Sequence, residues 1–233
     1  MHVDTSNAVD PVSSMFGALQ RIGYEVGAFG KVTNDQATVL KLASENGAMT
    51  YIDSPVDYNS FDGLPYWRKF PNGSYHTESL NEKNPEFGST YQTSQIGNRT
   101  MRWFDTVLAK KAPFFAYLGP HAPHFPAEPA PWYADAFDGM RAPMTPNYNV
   151  SSPDKTQHIR QNPPLTAAVN CWENQMFKDR WRTLLSVDDL IGAVIARLEQ
   201  AGVMDKTYFI YSRCLPICAA SLPWPGLWTD RLR

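Results

Sequence analysis

Cysteine is scarce in this sequence. Only Cys171, Cys214 and Cys218 occur among its 233 residues, an odd count. Cys214 and Cys218 have no second ligand pair at metal-binding spacing, which argues against a zinc site and leaves the redox compartment open. Charge of one sign is also lacking: 21 basic against 23 acidic residues give a formal net charge of -2. That balance offers no electrostatic case for nucleic acid or a membrane surface. No run of about 18 apolar residues occurs, so no membrane span is expected. The opening MHVDTSNAVDPVSS has neither the basic n-region nor the apolar h-region of a secretory leader, so no signal peptide is read there.

Proline and apolar residues are plentiful instead. The 19 prolines point to long ordered loops, and 43% hydrophobic residues leave room for a sizeable core in one large α/β domain or two small ones. The chain is organised around the stretch PFFAYLGPHAPHFPAEPAP, residues 113–131. Its compact aromatic run reads as a buried strand that Gly119 and Pro120 stop. His121 and His124 follow, held between prolines that fix φ and push their neighbours toward extended backbone. Imidazoles on a stiff loop at a strand end are placed groups, although histidine there is satisfied structurally about as often as it is functional.

Residues 15–22 have helical spacing at Phe16, Leu19 and Ile22, with Gly23 as a stop. A short strand then runs from Glu25 to a polar loop carrying Lys31 and Asn34. Residues 35–94 hold scattered aromatics without a period and read as loops with short hairpins, whose rings more simply pin a loop than stack on sugars. Helical spacing returns over 93–111 through Ile96, Met101, Phe104, Val107 and Leu108. After the histidine loop, Trp132, Tyr133 and Phe137 suggest one helical turn. The clearest helix is expected over 178–202, with a single apolar stripe from Trp181 to Leu198 and Gly202 as its end. Asp188 and Asp189 on it are adjacent, point about 100° apart and read as a solvated or ion-paired face rather than a metal site. Residues 207–211, TYFIY, are expected as a third buried strand.

Helix followed by strand, repeated, implies an α/β fold with a mostly parallel, mixed sheet and flanking helices. Ligands of such sheets sit outside the carboxyl ends of the strands. Those ends offer Lys31 and Asn34, then His121 and His124, then Ser212. A lysine and a histidine on one cleft suit an anionic oxyester: both donate to developing negative charge, and one can protonate a leaving oxygen. Asn72, Asn98 and Asn149 each begin an Asn-x-Ser/Thr sequon and are candidate glycosylation sites.

At these residues the chain resembles the sulfatases of the alkaline-phosphatase-like superfamily, and among them the N-acetylglucosamine-6-sulfatases. LQRIGYEVGAFGKVTN, PFFAYLGPHAPHFPAEPAPWY and DRWRTLLSVDDLIGAVIARLEQAGVMDKTYFIYS are similar to three family segments in the same order. The resemblance implies a partial sulfatase N-terminal, catalytic domain over residues 1–212, an incomplete core of that fold, and an unrelated tail over 213–233. It implies that Lys31 contacts the sulfate and the nucleophile and that His124 contacts the sulfate and helps the alcohol leave; His121, at a position where not all members carry histidine, is a further catalytic candidate. Asn34 would lie in the substrate-binding region.

The intact family uses a formylglycine made from cysteine in a C-x-P/A-S-x-R context, and a calcium ion held by Asp-Asp and Asp-Asn pairs. None of the three cysteines has that context, and Ser212 is followed by Arg-Cys-Leu-Pro rather than Asp-Asn. Formylglycine and the calcium ligands are therefore expected to be missing, no residue is assigned to metal, and the chain as written is expected not to turn over. The implied function is hydrolysis of 6-O-sulfate from N-acetylglucosamine units of glycosaminoglycans, with a sulfated polysaccharide or sugar as partner and a secreted or lysosomal location. Phosphodiester or phosphonate hydrolysis within the superfamily, and non-catalytic binding of sulfated glycans, are the competing readings.

Overall fold

In a computed structural model, residues 14–32, 91–151 and 153–212 are described, together with the backbone of 51–55, 65–69 and 75–79. Helix α1, Met15–Arg21, begins at Ser14, whose hydroxyl accepts the Gly17 N–H at 3.2 Å and so satisfies one of the free donors of the first turn. It ends into Gly23 at φ +92°, as its position after the last apolar residue predicts. Strand β1, Glu25–Gly30, follows directly.

Strands β2 (Tyr51–Pro55), β3 (Pro65–Lys69) and β4 (Tyr75–Ser79) come from the aromatic-rich region where short hairpins are expected. Helix α2 is Gln92–Lys110 and β5 is Phe114–Gly119, both within two residues of their expected bounds. The sheet has the order β4-β3-β2-β1-β5. β1 is parallel to β2 and to β5, whereas β2–β3 and β3–β4 are antiparallel, so the sheet is mixed.

Side-chain alternation along β5 decides which helix covers which face. Phe114, Ala116 and Leu118 pack toward the main core, while the Phe115 and Tyr117 rings meet Phe16 of α1 at 5.9 Å. The core unites Phe29, Ile96, Trp103, Phe104 and Val107 with Leu190, Val194 and Leu198 from the long helix. Full burial of each such large apolar side chain contributes about 1.5–3 kcal/mol, so this cluster outweighs exposed ion pairs such as Lys110–Glu25.

Between these elements lie a 3₁₀ turn, Pro131–Tyr133, and the single-turn helix α3, Gln157–Arg160. Phe137 is not part of that turn; its φ is +61°. The long helix α4 is Ala167–Gln200, eleven residues longer at its start than apolar spacing predicts. Its first turns are held by polar contacts: Thr166 caps the Val169 N–H, Tyr148 bonds Glu173, and Asn174 accepts the Ala142 N–H at 2.8 Å. A hydrophobic period is blind to such anchoring. The stripe is also narrower than expected, because Trp181 is exposed and Arg182, Thr183 and Ser186 are buried beside Val187.

The expected third strand is a correction. Residues 207–211 form no strand, and Tyr208, Phe209, Ile210 and Tyr211 are exposed, Tyr208 by 94%. The sequence has strand composition, but a strand needs a neighbour to take its hydrogen bonds, and no described strand lies beside it.

Candidate functional site

The carboxyl ends of β1 and β5 are adjacent, in register from Glu25↔Phe114 to Gly30↔Gly119. Lys31 continues the pairing by donating its N–H to the Gly119 carbonyl at 2.7 Å, and its own carbonyl accepts the Tyr117 hydroxyl at 3.2 Å. The half-buried Lys31 therefore leaves the sheet from a backbone fixed on both sides. The histidine loop leaves from the neighbouring strand, and the same sheet end carries Lys31, His121 and His124.

Within that loop His124 donates its N–H to the His121 carbonyl at 2.9 Å, closing a turn. The two rings lie 4.7 Å apart, tilted by 38°. His121 is buried and His124 exposed. The Nδ1 of His124 is 2.6 Å from the Phe125 carbonyl, which can only accept, so Nδ1 carries the proton. The other ring nitrogen, Nε2, is an acceptor when the ring is neutral and a donor when it is protonated.

Two residues at the start of α2, neither singled out by sequence reasoning, hold the loop. Gln92 accepts the His121 N–H at 3.1 Å. Tyr91 donates its hydroxyl to the Glu128 carbonyl at 3.1 Å, and its ring packs on Trp132 and Ala130. Burial pushes the Tyr91 hydroxyl above its usual range, partly offset by Ser186 and Thr93 beside it. Leaving the buried His121 N–H unmatched would cost about 1–3 kcal/mol. Nothing in the pattern Tyr-Gln-Thr marks these roles in advance, since they depend on contacts across 37 and 29 positions.

Asn34 and Asn72 lie outside the described residues. Asn98 sits inside α2, half-buried, and the Thr100 of its sequon is fully buried with its hydroxyl on the Ile96 carbonyl at 2.7 Å. Asn149 is exposed at φ +55°, and its Oδ1 accepts the Leu165 N–H at 2.5 Å. Asp188 and Asp189 are exposed, as a solvated face requires, and Asp189 accepts the Tyr133 hydroxyl at 2.7 Å.

Calcium takes about six to eight oxygen ligands. The site offers an ammonium and imidazole nitrogens, and among the described residues no three His, Cys, Asp or Glu side chains converge to hold an ion. These residues do not fit calcium.

A protein-family model described as Sulfatase matches residues 3–212. The chain belongs to the sulfatase family. Its relatives include the N-acetylglucosamine-6-sulfatases of Capra hircus and Homo sapiens, each 31% identical over 195 residues, covering 82% of this chain and 33% of the relative. An extracellular sulfatase SULF-1 homolog of Drosophila melanogaster is 27% identical over 198 residues, covering 83% of this chain and 17% of the relative. This sulfatase chain spans about a third of the length of the N-acetylglucosamine-6-sulfatases it matches. The solved structure of BT4656 in complex with its substrate D-glucosamine-2-N,6-O-disulfate is similar in fold, with TM-score 0.55 and 19% identity over 80% of this chain and 46% of that one. The fold is thus common to both.

Proposed function

We propose that this chain is the sulfate-recognising part of a sulfuric ester hydrolase that removes 6-O-sulfate from N-acetylglucosamine units of glycosaminoglycans. The observation that carries the proposal is the placement of Lys31, His121 and His124 just beyond the adjacent carboxyl ends of two paired parallel strands. A cation and an exposed histidine on a fixed backbone suit the oxygens of a sulfate ester, and a protonated imidazole can give a proton to the departing sugar oxygen. The similarity to N-acetylglucosamine-6-sulfatases supports the choice of sugar and position. One relative is described as extracellular, which supports a secreted or lysosomal setting.

In this reading the chain by itself binds a sulfated sugar without hydrolysing it. The family's formylglycine supplies the attacking oxygen when present, and no cysteine of this sequence stands in a C-x-P/A-S-x-R context. No step is assigned to calcium.

Titration of the chain with N-acetylglucosamine-6-sulfate, N-acetylglucosamine and the 6-phosphate tests this. Saturable binding of the sulfated sugar is expected, weaker binding of the unsulfated one, and a loss of about tenfold or more in Lys31→Ala and His124→Ala. Binding indifferent to both substitutions would sink the site. Preference for the phosphate would move the assignment to phosphoester chemistry, and metal-dependent sulfate release above the Lys31→Ala control would overturn the binding-only role.

A further inference from the structure

The two-histidine turn is fastened at its start by one side chain from another element. Gln92, at the first position of α2, is 1% exposed, and its Oε1 accepts the His121 N–H at 3.1 Å. Its Nε2 is buried and has no hydrogen-bond partner among the described residues. A buried amide with one half matched and one half open is costly, and an apolar side chain of similar volume would avoid that cost. The matched half is the contact with His121, so that contact is the physical reason for a glutamine at this position.

From His121 the path to the exposed imidazole is short. The His121 carbonyl accepts the His124 N–H at 2.9 Å, and the rings are 4.7 Å apart, so displacing the His121 backbone displaces His124. Tyr91, the preceding residue, holds the far end of the same loop at Glu128. With that end fixed independently, loss of the Gln92 contact loosens the histidine turn in particular rather than the whole loop.

We infer that Gln92 is a positioning residue for His124, acting through the His121 backbone rather than by touching the anion. Its effect on anion binding rests on the sulfate-recognition reading above; its hold on the turn does not.

Amide hydrogen exchange of the full chain, with inorganic sulfate titrated against the histidine ring resonances, separates the two. Gln92→Leu should speed exchange of the His121 amide by about tenfold or more and weaken sulfate by a similar factor, while Val107 and Leu198 keep their protection. Gln92→Glu retains an acceptor at the same reach, so it should rescue the His121 protection while its carboxylate still weakens sulfate. Should Gln92→Leu unfold the chain, which loss of Val107 protection would show, Gln92→Asn is one methylene shorter and carries the same expectation for His121. His121 exchange matching the unsubstituted chain in the folded Leu or Asn variant overturns the assignment. Loss of that protection in a folded Gln92→Glu variant overturns it too, because packing and not the acceptor would then be responsible. Failure of sulfate to bind the unsubstituted chain overturns the sulfate reading alone, and the exchange data still judge Gln92.

Discussion

Gly30 and Gly119 are register partners at the carboxyl ends of β1 and β5, and neither has room for a β-carbon. One built on Gly30 would lie 2.3 Å from the Gly119 carbonyl oxygen, and one on Gly119 would lie 2.3 Å from the Lys31 carbonyl oxygen. Gly30 also stands at φ +85°, in the left-handed region. The pair lets the two chains stay in contact one residue beyond the strands, where the Lys31 N–H reaches Gly119. The close approach of Lys31 to Gly119, two residues before His121, is therefore built into the sheet by two missing side chains.

Gly119→Ala is expected to cost about 2–3 kcal/mol in urea unfolding, because backbone atoms must move apart. Gly23, with φ +92° and open space around it, isolates backbone strain without a clash; Gly23→Ala should cost about 1–2 kcal/mol. Because Gly119 is not at positive φ, a loss there below about 1 kcal/mol would show that space does not limit the strand ends.

Arg182 is buried and joins α4 to the loop before it, donating to the Ala136 carbonyl at 2.6 Å, to Asp138 at 2.5 Å and to Asp179 at 2.8 Å. Arg182→Leu should lower stability by about 2–3 kcal/mol, since three bonds are lost and only apolar contact is regained. Asp138→Asn should cost less than about 1 kcal/mol, because Asp138 is largely solvated before and after. Chemical denaturation of both variants distinguishes a cationic clamp from an exposed ion pair.

The Tyr148 hydroxyl donates to the Glu173 carboxylate, and its pKa is pushed up to about 12, first by that bond and then by burial and the carboxylate charge. A folded-state pKa above the usual 10.0 favours the protonated hydroxyl, so its stabilisation is full below pH 10 and is lost as pH rises through about 12. Tyr148→Phe is expected to lower stability by about 1 kcal/mol at neutral pH. The gap between variant and parent should close between pH 10 and about 12 when unfolding is followed against pH. A gap unchanged across that window would assign the loss to packing.

Residues 207–211 present Tyr208, Ile210 and Tyr211 to solvent in a segment of strand composition. Such a segment is a template for pairing with another copy. Ile210→Lys should leave the unfolding midpoint unchanged and reduce concentration-dependent association in sedimentation. Association that is indifferent to this substitution would place the sticky surface elsewhere.

Much of the fold was legible because its signals are local. The spacing of Phe16, Leu19 and Ile22 marks α1, the aromatic run from Phe114 marks β5, and Phe104 and Val107 mark α2. The missed part of α4 is held by Tyr148–Glu173 and Ala142–Asn174, contacts between polar groups far apart in the chain that leave no apolar period. TYFIY misled in the opposite sense. Its composition fits a strand, but composition carries no information about whether a partner strand is present.

The sequence by itself determined the element types, the identity of the candidate groups Lys31, His121 and His124, and the sulfatase likeness carried by their flanking segments. It also determined that Gly30 and Gly119 would be glycine, without saying why. Only the tertiary structure decided that these two glycines face each other, that Lys31 reaches Gly119, and that Gln92 and Tyr91 hold the two ends of the histidine loop. The physical reason is range. Periodicity, turn chemistry and propensity act over a few residues, whereas the site is assembled by hydrogen bonds and close contacts whose partners meet only when parallel strands pair.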